Sequence, residues 1–179
     1  MRSTEQAAYV ARELAPARVT AIDSSPTQHA RALERHGHLP NLELVQADAA
    51  AHLHERPTTF DVCFSLFGAL DFTDPHVLLP AIAEALTPEG VLVFSTLAHY
   101  HSGHAPEPEV RPAQIPARTV DGTRTTMDRW VLEARLWEQL LAASGFMAID
   151  TFTVRDPGSD EERPVATNIF RAARRPASL

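Results

Sequence analysis

The sequence has little of several residue types that mark particular protein classes. Its 179 residues contain one cysteine, Cys63, so no internal disulfide can form and a reducing cytoplasm is expected. Lysine and arginine total 16 against 23 acidic residues, without a basic cluster, which argues against a nucleic acid partner. No apolar run approaches the roughly 20 residues of a membrane span, and residues 1–5 lack the apolar core of a signal peptide. A small molecule is therefore the expected partner.

What the chain does contain is an alternation of short apolar runs with amphipathic segments, over a length suited to one domain, 1–179. Strand–helix alternation up to Thr96 predicts a mostly parallel sheet with helices on both faces, and the last two strands are predicted to form an antiparallel hairpin at one edge. Predicted helices cover 4–15, 26–36, 49–55, a segment starting at Pro75 after the cap Asp74, and 133–144; predicted strands cover 18–23, 42–46, 60–67, 91–96, 149–154 and 167–173.

Three glycines are placed where a positive φ angle would suit them, and one of these, Gly145, stops the helix predicted over 133–144. Gly37 would take the left-handed conformation and end the second helix. Gly90 would take a positive φ in the turn 87–90. Residues 97–126 show no sustained period and are predicted to be a long functional or flexible loop, followed by an extended stretch over 126–132.

An acid stands at the end of each of the first two predicted strands. Asp23 follows 19–22, and Asp48 follows 42–46. Ligands of open α/β sheets bind beyond the carboxyl ends of the strands, where a carboxylate can accept hydrogen bonds from a ribose diol. Alternatively, Asp23 only caps the helix that begins at Pro26. The repetition at Asp48 favours a ligand-binding edge.

Five segments follow one another in a characteristic order and spacing: 19–26 (VTAIDSSP), 44–49 (LVQADA), 60–65 (FDVCFS), 86–96 (LTPEGVLVFST) and 144–146 (SGF). Together they resemble a class I methyltransferase that uses S-adenosylmethionine, of the bacterial small-molecule type, with a Rossmann-like sheet. The resemblance runs over nearly the whole chain.

The resemblance implies which residues contact the cofactor S-adenosyl-L-methionine. Asp23 would bind the ribose hydroxyls, with Ser24 at the rim of the adenine pocket, and Asp48 and Ala49 would contact the adenine. The segment that passes under the methionine part would be Ser65, Leu66 and Phe67. Two alternatives stay open: Asp48 could cap the helix after it, and Phe67 could belong to the core.

The chain departs from this family at its beginning. Its first glycine is Gly37, so the glycine-rich loop that lies against the methionine part of the cofactor has no counterpart. The first strand, which lies between the strands ending at Asp23 and Ser65 in the related fold, is missing too. An unpaired interior strand edge leaves backbone hydrogen-bonding groups unsatisfied, which costs free energy. Three alternatives avoid this cost: those two strands pair directly, or a partner chain donates a strand, or the native product begins further upstream. The last alternative is favoured.

The candidate catalytic base is His99, directly after the strand ending near Thr96, because methyl transfer to a protonated nucleophile needs a base. With His101 and His104 it could instead bind a metal, or the segment could be a solvated loop. The segments that follow the strands should converge on an acceptor pocket formed by Asp71, Phe72, Tyr100, Arg129 and Trp130.

Two functions from different classes remain. The first is transfer of a methyl group to a small-molecule acceptor. The second is a non-catalytic remnant or assembly subunit that cannot bind the cofactor well without the glycine-rich loop. The protein partners left open are a further copy of the chain, in a homo-oligomer, and a chain that donates a strand. A nicotinamide-dependent dehydrogenase is a weaker third, because it also needs a glycine-rich turn and nothing in the sequence supplies hydride transfer.

Overall fold

A computed structural model describes residues 3–119, 121–158 and 165–176. It confirms a mixed α/β fold in which helices and strands alternate through the first half. The elements are α1 (Ser3–Tyr9) with a π-helical continuation (Val10–Leu14), β1 (Val19–Asp23), α2 (Pro26–His36), β2 (Leu42–Gln46), α3 (Ala49–His54), β3 (Phe60–Leu66), α4 (Ala69–Phe72), α5 (Pro75–Ala85), β4 (Leu86–Leu97), β5 (Ala113–Arg118), β6 (Arg124–Arg129), α6 (Ala134–Ala143), β7 (Phe146–Arg155) and β8 (Ala166–Arg174).

The strands form three separate sheets among the described residues. β1 and β2 are a parallel pair, and β3, β4, β8 and β7 lie side by side in that order, with β3 parallel to β4 and the last two strands antiparallel. The C-terminal hairpin at one edge is thus confirmed. β1 and β3 do not pair with each other. The alternative in which these two strands pair directly is therefore wrong; the edges of β1 and β3 that remain are not paired with any described strand, and this break between the two sheets is the β1–β3 gap.

Local capping explains the helix starts. The Ser25 hydroxyl accepts a hydrogen bond from the Gln28 amide at the start of α2, and Asp74 accepts one from the His76 amide at the start of α5, each ahead of a proline in the first turn. Gly37 does follow α2, but its φ is −61°, so the predicted left-handed stop is wrong. A Cβ there would lie 2.6 Å from the Leu33 carbonyl oxygen, so glycine is needed for space.

The turn predicted over 87–90 lies inside β4 as an irregularity of the β3–β4 ladder, where Phe60 pairs with Leu86 and Val62 with Val91. The residue with positive φ is Glu89, at 69°, so the prediction for Gly90 is wrong. A Cβ on Gly90 would come within 2.8 Å of the Thr87 carbonyl oxygen. Here too glycine allows a close approach of the backbone.

The region predicted to be a long loop contains a strand. β5 pairs antiparallel with β6, from Ala113 opposite Arg129 to Arg118 opposite Arg124. The extended stretch predicted over 126–132 corresponds to β6, which begins earlier, at Arg124. Residues 155–158, which begin the connection between the two strands of the C-terminal hairpin, are exposed, and 159–164 lie outside the described residues.

The core divides into two clusters of unequal size. The larger cluster packs α3, α5 and α6 on one face of the four-stranded sheet, and Phe94, Trp137 and Phe170 are fully buried at its centre. Phe94 stacks on Phe170 with ring centroids 4.7 Å apart, and Trp137 meets Phe94 edge-on at 5.3 Å. The smaller cluster consists of Ala7, Ala8, Ala11, Val19 and Leu42. No described helix is both long and apolar enough to cross a membrane.

Replacing Phe170 by Ala should lower the free energy of unfolding by about 3 to 5 kcal/mol, because it empties a fully buried site in the stacked cluster. The matched control is Phe152→Ala on the paired strand β7, where the side chain is 57% exposed and the loss should stay near or below about 0.5 kcal/mol. Urea denaturation of both variants measures the difference; equal losses would contradict this description of the core.

Candidate active site

Asp23 and Asp48 lie at the carboxyl ends of two adjacent parallel strands. Asp23 is the last residue of β1 and pairs in register with Gln46, and the Ala47 amide donates to its carbonyl oxygen at 3.3 Å. Its Oδ1 accepts a hydrogen bond from the Ser25 amide at 2.9 Å, which holds the turn into α2. Among the described residues, none donates to its Oδ2. The carboxylate therefore stabilises the turn and still has an oxygen for a ligand.

Asp48 does cap the helix after it. It is the N-cap of α3, and its Oδ1 accepts from the Ala51 amide at 2.9 Å. Its side chain is exposed, and its second oxygen accepts no hydrogen bond from any described residue. Ser24 is also exposed, and Ala49 is half-buried against the larger cluster. The alternative in which Asp23 caps α2 is wrong, because Ser25 is the cap; the turn contact of Asp23 and the cap at Asp48 each use one carboxylate oxygen and leave the other at the same edge.

The end of β3 turns sharply. Phe67 has φ of 50°, an uncommon value for a bulky residue, and its amide donates to the Ser95 carbonyl at 3.2 Å. This conformation leaves the Phe67 side chain 41% exposed rather than in the core. Ser65 is half-buried and its hydroxyl accepts from the Leu70 amide at 3.3 Å, which ties the strand to α4; Leu66 is half-buried.

Three of the five predicted acceptor side chains, those of Asp71, Phe72 and Arg129, come together in the structure, whereas the Trp130 side chain is buried in the larger cluster. Arg129, at the end of β6, donates from Nη2 to Asp71 Oδ2 at 2.9 Å, and its guanidinium carbon lies 5.3 Å from the centre of the Phe72 ring. The Trp130 amide donates to the Asp71 carbonyl at 2.8 Å. These contacts fasten the β5–β6 hairpin to α4, which directly follows the carboxyl end of β3.

The Asp71–Arg129 pair is buried and incompletely satisfied. The Asp71 side chain is 1% exposed and that of Arg129 is 15% exposed. Asp71 Oδ1 and Arg129 Nε are buried without a hydrogen-bond partner. Burial raises the pKa of Asp71 to about 6, and the attraction of Arg129 opposes that shift only in part.

Tyr100 contacts Glu107, which in turn contacts Arg111; neither of these two residues was predicted from the sequence to belong to the site. Its hydroxyl donates to Glu107 Oε1 at 3.2 Å, and Arg111 Nε donates to Glu107 Oε2 at 2.8 Å. Burial and then the charge of Glu107 raise the pKa of Tyr100 to about 12, against the opposing charges of Arg111 and then Arg129. Glu107 and Arg111 lie in a stretch without periodicity, so only the fold shows that they meet Tyr100.

His99 follows β4 and is half-buried, and it makes no hydrogen bond within the described part of the chain. His101 and His104 are exposed in the turn after it, where the Tyr100 amide donates to the His104 carbonyl and the Ser102 hydroxyl lies 2.7 Å from His104 Nδ1. No group of three or more metal-ligating side chains is assembled within residues 3–119, 121–158 and 165–176. His99 is the histidine placed at the strand end.

A family model described as a methyltransferase domain matches residues 3–94, just over half of the chain. The chain belongs to the methyltransferase domain family. The match spans β1 through most of β4 and so includes Asp23, Asp48 and the turn at Phe67. No curated protein matches this methyltransferase domain.

Solved structures share the fold. A candidate S-adenosylmethionine-dependent methyltransferase from Listeria monocytogenes is 15% identical with a TM-score of 0.70, over 97% of this chain and 88% of that one. An S-adenosylmethionine-dependent methyltransferase from Mesorhizobium loti is 23% identical, with a TM-score of 0.65 and the same coverages. The 1,6-didemethyltoxoflavin N1-methyltransferase of Burkholderia thailandensis, solved with that compound and S-adenosylhomocysteine, is 18% identical with a TM-score of 0.56, over 88% of this chain and 61% of that one.

Because the pKa of Asp71 is raised, the direction in which this carboxyl changes the free energy of unfolding with pH follows. In the folded methyltransferase domain this carboxyl holds its proton up to pH about 6, whereas an unshifted one loses it near 3.8. The folded state therefore binds more protons between these values, and stability falls as the pH rises through them, by about 3 kcal/mol in total.

Relative to Asp71→Asn, which stays neutral, the unmodified chain should lose stability from pH 4 to pH 6.5. Urea denaturation of both chains across this range measures the difference in free energy of unfolding. If the free energy of unfolding of the unmodified chain, relative to that of Asp71→Asn, stays constant or rises with pH, the attraction of Arg129 balances or outweighs the cost of burial.

Proposed function

We propose that this chain transfers a methyl group from S-adenosyl-L-methionine to a small-molecule acceptor in the cytoplasm. Membership of the methyltransferase domain family supports the reaction class. The observation that carries the proposal is the placement of Asp23 and Asp48, each with one unused carboxylate oxygen, at the ends of adjacent parallel strands.

The nucleoside half of the cofactor fits this edge. Asp23 Oδ2 would accept hydrogen bonds from the ribose hydroxyls, and Asp48 would accept one from the exocyclic amine of adenine beside Ala49. Ser24 would lie at the rim of the adenine site, and Ser65, Leu66 and Phe67 would pass under the methionine part. No glycine precedes Gly37, so the described chain offers this methionine part no glycine-rich backbone cradle.

The bound cofactor supplies a methyl group that is already activated on a sulfonium. The chain's own residues then have to align a nucleophile with it, exclude water and accept a proton. We assign alignment to the predicted acceptor residues Asp71, Phe72, Tyr100, Arg129 and Trp130. The contacts of Arg129 with Asp71 and Phe72, beside the carboxyl end of β3, support this assignment. His99 is the proposed base, because its imidazole follows β4 at the same edge and pairs with no described residue.

A second function is favoured by one observation, the gap between β1 and β3. A chain with this gap could be a non-catalytic subunit of an assembly, in which the fold is kept and cofactor binding is weak or lost. The two functions differ in whether the purified chain binds the cofactor product, S-adenosylhomocysteine.

Calorimetric titration with S-adenosylhomocysteine should give micromolar binding to the purified chain, weakened at least about tenfold in Asp23→Asn, because charge-assisted hydrogen bonds to the ribose are lost. Asp61→Asn is the matched control, an exposed aspartate near the opposite end of β3, and should bind as the unmodified chain does. Absence of binding to a folded sample would favour the non-catalytic subunit.

Transfer of a labelled methyl group to a panel of small hydroxyl and amine compounds tests the base. For any compound that is methylated, His99→Gln should lower kcat by about 10²- to 10⁴-fold at neutral pH, the usual range for loss of a general base. His101→Gln replaces an exposed neighbour and should leave kcat within about twofold. An unchanged kcat in His99→Gln would remove His99 from the mechanism.

A further inference from the structure

A cleft of about 590 Å³ lies between the segment 100–108 and the start of β5. Small-molecule sites in proteins typically measure about 300 to 1,000 Å³. The cleft begins at Tyr100, the residue directly after His99. Its walls include half-buried apolar groups, those of Pro106, Ala113 and Ile115. The cleft can therefore hold the apolar body of a small molecule next to the segment that carries the proposed base.

The core fixes the position of Glu107 in this cleft. Its amide donates to the Val131 carbonyl at 2.8 Å, and its carbonyl accepts from the Glu133 amide at 3.1 Å. Val131 and Leu132, in the same segment, are fully buried. The Glu107 side chain is 19% exposed, so its carboxylate can still be reached from the cleft. A carboxylate held in this way is a preorganised hydrogen-bond acceptor.

The hydrogen-bonding groups along the cleft are mostly acceptors. The Tyr100 hydroxyl donates its proton to Glu107 Oε1, and the Gln114 amide donates to Asp128. Within the described ranges, no residue donates to the Tyr100 oxygen or to the Gln114 side-chain oxygen. A carboxylate has about four lone pairs, and each oxygen of Glu107 receives one donor. A ligand group that fits here has to donate hydrogen bonds.

The fixed charge along the cleft is negative. Glu107 is its carboxylate, and none of the described lining residues is a lysine or arginine. Arg111 pairs with Glu107 but does not line the cleft, and its side chain is 62% exposed. An ion pair this exposed is weak, because water screens it, so Glu107 can still attract a second cation. An anion would meet Glu107 without a lysine or arginine of the lining to compensate it.

We propose that the cleft selects an amine with an apolar body, bound as its ammonium ion, and that this amine is the methyl acceptor. The ammonium group would donate to Glu107 and to the Tyr100 oxygen, while the apolar body would lie against Pro106, Ala113 and Ile115. Selection of an amine follows from the cleft itself, whereas the part of that amine as acceptor rests on the proposed function. An anionic compound, such as a carboxylic acid, is bound poorly.

Methyl transfer to this amine releases one proton. The ammonium ion gives that proton to His99, which frees the lone pair on nitrogen. The nitrogen then forms the bond to the methyl carbon as the carbon–sulfur bond breaks, and the electron pair of that bond stays on sulfur. The products are an N-methylammonium ion and S-adenosylhomocysteine, and the proton on His99 passes to water.

Three probes of similar size test the selection without any cofactor. Tryptamine, 3-ethylindole and indole-3-propionate carry the same ring with a cationic, a neutral and an anionic end. Calorimetric titration of the purified chain should give a Kd for tryptamine at least about tenfold lower than that for indole-3-propionate, because only the ammonium ion forms a charge-assisted hydrogen bond to Glu107. 3-Ethylindole should lie between them. Amide shifts in NMR spectra should change at Ala105, Ala113 and Ile115, which locates the probe in the cleft.

Variants on either side of the Glu107–Arg111 ion pair should change the ratio of these two Kd values in opposite directions. Glu107→Gln keeps the side-chain size and removes the charge, so the ratio should fall to about twofold or less. Arg111→Gln removes the competing cation and should increase the ratio at least about twofold. Glu109→Gln, an exposed glutamate outside the cleft lining, is the matched control and should leave the ratio unchanged. Because Arg111 is exposed, its variant should fold and decides the question if Glu107→Gln does not.

Three results would overturn the proposal: equal or tighter binding of indole-3-propionate, a preference for tryptamine that survives in Glu107→Gln, or no probe binding in the cleft of a folded sample. Titration with S-adenosylhomocysteine separates these from a failure of the proposed function. A chain that binds tryptamine selectively but no S-adenosylhomocysteine would support the selectivity of the cleft and contradict methyl transfer. A chain that binds S-adenosylhomocysteine but prefers the carboxylate would contradict the selection of an amine alone.

Discussion

The stacking of Phe94 on Phe170, with Trp137 against the edge of the Phe94 ring, holds together the three elements on which the rest of the molecule depends. These residues come from β4, β8 and α6, so a parallel and an antiparallel part of the sheet and the helix that covers them share one fully buried contact. β4 leads from there into the His99–His104 segment, and α6 is preceded by Arg129 and Trp130. The position of the proposed acceptor residues therefore depends on this aromatic contact.

Local features of the sequence predicted the first half of the fold well. The bounds of α2 and β2 are those expected, because a capping serine or aspartate, a proline and a short apolar run determine such elements within a few residues. Gly37 and Gly90 were assigned the wrong role, since their requirement is for space and not for positive φ. β5 was missed because it contains Pro116 and depends on a ladder to β6, which no local pattern reveals.

The candidate site could be predicted only because the segments that follow parallel strands meet at one edge of the sheet. Asp71 and Arg129 are 58 residues apart, and only the expectation that the segments following the strands meet at one edge placed them together. Their ion pair and the hydrogen bond from the Trp130 amide to the Asp71 carbonyl show that the two segments meet, and their role in binding an acceptor stays a prediction. Glu107 and Arg111 could not be found in this way, because they reach Tyr100 through an irregular segment whose path depends on the hairpin.

The unequal size of the two apolar clusters bears on dynamics. The smaller cluster contains five buried residues, and it supports the β1–β2 pair that carries Asp23 and leads to Asp48. Local unfolding requires the least free energy where few buried apolar contacts oppose it, so this pair should open as a unit before the larger cluster does. The two residues proposed to bind the nucleoside, Asp23 and Asp48, belong to that unit, so binding of a nucleoside would be coupled to the folding of the β1–β2 pair. A bound nucleoside would then stabilise the N-terminal third of the chain against local unfolding.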